Sequence, residues 1–212
     1  MPRPGKATRA DAGTRERLLA AAAAEFAARG FAGANIDRIA DAARLNKAMI
    51  YYHFTNKAAL YHEILRDMFG AVRARVREAA ASGAPPAAKI RLFVTAIAVE
   101  AEARPHFPPI WFREIAEGGA HLDLETLRHV ADILKALGQI IEEGVRARQF
   151  KRVNPVIVHA GIVGPLLLYF ATQPLRQRLK KAGVPAAVAL GRDDVIAHIQ
   201  NVALGTLEGR LL

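Results

Sequence analysis

Residues Asn35 to Lys57 read N-I-D-R-I-A-D-A-A-R-L-N-K-A-M-I-Y-Y-H-F-T-N-K. The stretch divides into two short helical patterns joined by a tight turn. Asn35 has the short polar side chain that suits a helix N-cap, and Ile36, Ile39, Ala40 and Ala43 recur at helical spacing. Arg44 and Leu45 make the turn, with Leu45 as its apolar plug, and Asn46 caps a second helix running from Lys47 to Phe54. Ile50 and Phe54, four apart, anchor that helix inward. Lys47, Ala48, Met49, Tyr51, Tyr52 and His53 are left on its outer face and edges. Adjacent tyrosines and a histidine on so short a helix add little to stability. Two helices joined by such a turn, the second presenting polar and aromatic groups, fit a helix-turn-helix built for a DNA groove.

The flanking sequence supports that unit. A helix is expected from about Thr14 to Arg29, with Leu18, Ala22 and Phe26 on one face and Gly30 ending it. Phe26 and Phe31 should form a small core beneath the reading head. Residues 1–13 read as a basic arm, with Arg3, Lys6 and Arg9 either solvated or reaching a neighbouring groove. Asn56 caps a long fourth helix with the inward stripe Leu60, Ile64, Met68, Val72 and Val76, and S-G-A-P-P at 82–86 is the clearest break. Helices are then expected at about 87–103, 107–117, 122–148, 156–181 and 193–211, with a kink at Pro165. In the 122–148 helix the inward set is read as Leu124, Leu127, Ala131, Leu134, Ile141 and Val145. The division is an arm at 1–13, a DNA-binding domain at 14–60 and a helical bundle at 61–212. The fold class is all-α with about nine helices.

Composition sets the bounds. The chain has 212 residues, 52% of them hydrophobic, enough for a sizeable core. Its formal charge is +10, which points to an anionic partner, nucleic acid before a membrane surface. There is no cysteine, which excludes disulfides and thiol chemistry and fits a reducing cytoplasm. The first 13 residues lack an apolar core and do not read as a signal peptide. The apolar run Val156 to Thr172 contains His159, Gly161, Gly164 and Pro165, so it reads as an interface helix with no membrane partner.

In order and spacing the N-terminal third resembles the TetR-type transcriptional regulators. The resemblance rests on T-R-E-R-L-L-A-A-A-A-A-E-F-A-A-R-G-F from Thr14, the stretch from Asn35, and above all Y-Y-H-F followed by Lys57 and Leu60. It covers roughly residues 14–65. It implies a homodimer that reads a palindromic double-stranded operator and releases it when a small-molecule effector binds the C-terminal bundle. It further implies a repressor, with an efflux system as a typical target. Lys47, Ala48, Met49 and Tyr51 would then lie nearest base edges, with Asn35, Asn46, Tyr52, His53 and Lys57 on phosphates. For His53 a capping or packing role stands beside the phosphate one. Dimerisation would use the last two long helices, whose Gly161/Gly164 and Ala203/Gly205 permit close packing. The effector pocket would draw on Phe93, Ile97, Phe107, Trp111, Phe112, Ile115, Leu134, Leu137, His159 and Tyr169, a set suited to an apolar or aromatic molecule. Three positions depart from the family: Asn35 for its Thr, Arg44 for its Gly, and Asn46 for its Ser. Arg44 must either adopt a left-handed conformation or reshape the turn.

Nothing points to an enzyme or a cofactor. There is no nucleophile elbow, phosphate loop or dinucleotide fingerprint. Glu125 and His129 do not make a zinc-protease pattern, and His121, Asp123 and His129 do not share a helix face, so no metal site is expected. Arg113, Glu114 and Glu117 read as surface charges.

Overall fold

The computed structural model describes residues 9–210, leaving aside the side chains of 9–12 and 187–188. Among the described residues there are eleven helices and no strand. They are α1 (Arg9–Gly33), α2 (Ile36–Ala43), α3 (Lys47–His53), α4 (Lys57–Ala81), α5 (Pro86–Ala103), α6 (Phe107–Ala116), α7 (Leu124–Arg146), α8 (Pro155–Ala171), α9 (Gln173–Lys181), α10 (Ala186–Ala189) and α11 (Arg192–Glu208). The count exceeds the expected nine because the 156–181 run is two helices and a single turn, α10, precedes α11. Arg3 and Lys6 of the basic arm lie outside the described residues. From Arg9 the backbone is already helical, five residues before the expected start.

The chain forms two compact units, one of residues 1–67 and 109–123, the other of 68–108 and 124–212. The first unit therefore runs past residue 60 and takes in a segment distant in sequence. Its core is built as the periodicity dictates, with Leu18, Ala22 and Phe26 of α1, Ile39, Ala40 and Ala43 of α2, Ile50 of α3 and Leu60 of α4 all buried. Gly30 breaks α1 at φ +70°, a conformation costly for a residue with a Cβ, and the chain makes one more turn to Gly33. Phe31 stacks on Phe26 at 6.3 Å between ring centres, and both lean on the Tyr61 ring at 5.2 and 4.6 Å.

The second unit is a helical bundle. The stripe Met68, Val72 and Val76 of α4 is buried, as are Ile90, Phe93, Val94 and Ile97 of α5. In α7 the buried face is Ile133, Ala136, Leu137, Ile140 and Ile141, with Gly144 behind them, while Leu124 and Leu127 are exposed. The leucines set the expected phase, yet the isoleucines and small residues hold the core. The kink expected at Pro165 is also displaced. Pro165 sits inside α8 on its exposed side, and the chain instead bends by 54° between α8 and α9. Pro174 occupies the first turn of α9, where its missing N–H costs nothing. The Thr172 hydroxyl bonds the Leu168 carbonyl at 2.6 Å and ends α8. Among the described residues no single helix is long and apolar enough to cross a membrane; the bent pair α8 and α9 meets that test by length and composition alone.

Candidate nucleic-acid interface

The first unit sets α2 and α3 by their caps. The Asn35 side chain accepts the Asp37 amide at 2.6 Å, and Asn46 accepts the Ala48 amide at 2.9 Å, so both asparagines cap as their positions require. Arg44 takes the left-handed conformation (φ 54°, ψ 48°), and its amide bonds the Ala40 and Asp41 carbonyls. The turn thus keeps the geometry glycine would give and carries the strain of a Cβ there. Leu45 is half-buried, a looser plug than expected. A second lock fixes α2 against α1: Glu25 accepts the Asn35 amide at 3.3 Å and Arg38 Nε at 2.7 Å, and Arg38 also reaches the Gly33 carbonyl at 2.7 Å. Burial pushes the Glu25 carboxyl up, but these hydrogen bonds and the charges of Arg38 and Arg29 outweigh it and hold the group below its usual range.

With Ile50 and Phe54 buried, the other side of α3 is bare. Lys47, Ala48, Tyr51 and Tyr52 are exposed, Tyr51 at 49% and Tyr52 at 73%, and Met49 is half-buried beside them. Lys47 Nζ lies 2.7 Å from Asp37 Oδ1, both exposed, and that hydrogen bond raises the ammonium above its usual range. An exposed pair of this kind is weak enough for a phosphate to displace the carboxylate. His53 is half-buried and meets Tyr52 edge to face at 5.1 Å, so it supports that ring's orientation.

Lys57, expected on phosphate, has partners within the unit. Its Nζ bonds the carbonyls of Phe31 at 2.9 Å, Ala34 at 3.2 Å and Ala32 at 3.4 Å, and it sits 4.8 Å from the centre of the Phe31 ring. An ammonium has three protons. All three go to carbonyls at the end of α1, so Lys57 closes the chain on itself here.

Segment 109–123 was not visible as part of this unit. Arg113 donates to the Ala27 and Ala28 carbonyls at 3.2 and 2.9 Å, Arg66 pairs with Asp123, and the Tyr61 hydroxyl donates to Glu114 Oε1 at 2.7 Å. Glu114 is 1% exposed, which corrects its reading as a surface charge. Burial, then the Glu114 carboxylate, pushes the Tyr61 phenol far upward.

The expected effector residues fall into two groups. Trp111, Phe112 and Ile115 belong to the first unit, and Ile115 is 55% exposed. In the second unit Phe93, Ile97, Phe107 and Leu137 are buried core, and Leu134 and His159 are half-buried. Burial keeps the His159 imidazole below its usual range. Tyr169 lines a pocket of about 210 Å³ with Glu102, Pro105, Phe170, Arg176 and Arg192.

Comparison with known proteins agrees with this geometry. Residues 18–64 match the family described as bacterial regulatory proteins, tetR family. Its DNA-reading segment is similar to that of the TetR family. The match spans α2 and α3 and most of the buried set that positions them. The HTH-type transcriptional repressor NicS of Pseudomonas putida is 28% identical over 193 residues, 90% of this chain and 91% of its own. The repressor SCO4008 of Streptomyces coelicolor is 52% identical over 52 residues, 24% of this chain and 27% of its own. The TetR-family regulator PfmR of Thermus thermophilus shares the fold, with a TM-score of 0.69 at 21% identity over 89% of this chain and 97% of its own. The named relatives are transcriptional repressors, and the likeness supports a DNA-binding transcriptional regulator.

Proposed function

We propose that the chain is a homodimeric repressor whose α3 helices enter successive major grooves of a palindromic operator and leave it when an effector binds the second unit. The carrying observation is the bare face of α3, with two exposed tyrosines on a helix that is capped by Asn46 and anchored by buried Ile50. Lys47, Ala48, Met49 and Tyr51 lie against base edges. Asn35, Asn46, Tyr52 and His53 hold phosphates, together with the amides at the helix N-termini. Ala48 lets the backbone approach, and its methyl suits a thymine methyl.

Dimerisation is supported by α8. Ile157, Ala160, Gly161, Gly164 and Leu168 are all exposed, and they recur at helical spacing on one face. On α11 the outward residues are Ala197, His198, Asn201 and Val202. Ala203 and Gly205, expected at the contact, are buried within the chain. A two-fold pairing of these faces places two reading heads on one duplex. The effector is a small apolar or aromatic molecule, and its release of DNA is a shift between two states of different operator affinity. An efflux system is the target class.

Selection from a random duplex pool tests the reading. It predicts enrichment of an inverted repeat with half-sites about one helical turn apart. Ile157→Lys should yield monomers by sedimentation and lose the repeat. Enrichment of single half-sites by a dimer, or of no sequence, would overturn it.

A further inference from the structure

The stretch E-I-A-E-G-G-A-H, Glu114 to His121, folds back on itself. Gly118 and Gly119 adopt φ +70° and +74°, and the Gly119 amide bonds the Glu114 carbonyl at 2.7 Å. Two consecutive left-handed residues are open to glycine at little cost. The turn carries His121 back over the end of α6. There its Nδ1 stands 3.1 Å from Glu114 Oε1 and 3.2 Å from Glu117 Oε2. One nitrogen therefore faces two carboxylate oxygens, and a single N–H can be well directed at only one of them. Arg113, the nearest cation in sequence, donates to the Ala27 and Ala28 carbonyls and makes no hydrogen bond to these carboxylates among the described residues.

We propose that Glu114, Glu117 and His121 form a site for a divalent transition ion of the Zn2+ class. With ligand atoms ~2.0–2.1 Å from such an ion, the two nitrogen–oxygen separations of 3.1 and 3.2 Å subtend roughly 100° at it, between octahedral and tetrahedral. Two carboxylates and a neutral imidazole balance the dipositive charge. They leave a further position open on the side of Glu117, whose side chain is 40% exposed. The support around the ligands is already built. The Tyr61 hydroxyl and the His121 amide both donate to Glu114, and the Phe31 ring lies 4.3 Å from the imidazole. Hydrogen bonds of this kind fix the orientation of ligating carboxylates. All three ligands sit in segment 109–123 of the first unit, so the ion would pin the turn after α6 within that unit. This site uses neither the exposed face of α3 nor the effector pocket, and it stands whether or not those readings do.

The test uses the full chain without a histidine tag, stripped with chelator and titrated with zinc chloride against a competing chromophoric chelator. One ion per chain is expected, with a melting temperature that rises with free zinc. Glu117→Gln and His121→Asn should each weaken binding at least about tenfold while melting like the parent without zinc. Should either variant fail to fold, the Co2+ complex of the parent supplies the second readout, as coordination gives the His121 ring resonances through-bond shifts far larger than those of any other histidine. Absence of saturable uptake, uptake unchanged in both variants, or Co2+ shifts centred on another histidine would overturn the site.

Discussion

Lys57 shows how a single residue can look functional in sequence and act structurally. An ammonium one turn past Y-Y-H-F reads as a phosphate contact, but three carbonyls at the end of α1 claim its protons. Nothing in local spacing signals this, because those acceptors precede Lys57 by 23 to 26 residues. Lys57→Ala should therefore cost stability, by about 1–2 kcal/mol as part-buried carbonyls lose a charged donor. Its salt slope for DNA binding should stay that of the parent; a fall of about 1 would mean that Lys57 reaches phosphate after all. Arg44 is the converse, since its left-handed strain was legible from its place in the turn. Arg44→Gly should raise stability by about 0.5–1 kcal/mol, the Cβ strain less glycine's extra unfolded-state entropy. Calorimetry showing a loss would refute strain as the main effect.

At the scale of elements, caps and stripes were legible where one face of a helix is buried by its neighbours in sequence. That holds for α1 to α4, whose inward residues follow the 3.6 period. It failed for α7, where Leu124 and Leu127 stay exposed while isoleucines and small residues pack, and for the break after α8. There the decisive features are Thr172 and Pro174 and not the more conspicuous Pro165. Gly144 of α7 shows what periodicity cannot report. A Cβ there would meet the Phe150 ring at 2.0 Å, and that ring is itself buried. Gly144→Ala should destabilise by about 1–3 kcal/mol through overpacking, read as a lower denaturation midpoint. An unchanged midpoint would mean the ring has room to move.

For the whole molecule, sequence order hid the makeup of the first unit. Segment 109–123 joins it through Arg113, Glu114 and Asp123, from beyond a complete helix of the other unit. Stability should also respond to pH across the histidine range. Burial holds His106 and His159 below the ordinary value of 6.5. Between that value and the lower folded one, the unfolded chain binds the extra protons, so stability falls as pH falls. Melting temperatures from pH 8 to 5 should decline below about 6.5, the ordinary histidine value, and His159→Gln should flatten the decline. A melting temperature that rises on acidification would contradict the burial of these rings.

The central claim is that the exposed face of α3 reads DNA sequence. Its most direct measurement is the ratio of affinity for the selected operator to that for random duplex, across a salt series, for the parent and Tyr51→Ala. The parent should keep a ratio on the order of 10³ or more at physiological salt. Tyr51→Ala should lose affinity for the operator well beyond its loss on random DNA, with little change in salt slope. Equal losses on both duplexes, or a parent whose affinity for every duplex falls in parallel with salt, would contradict it.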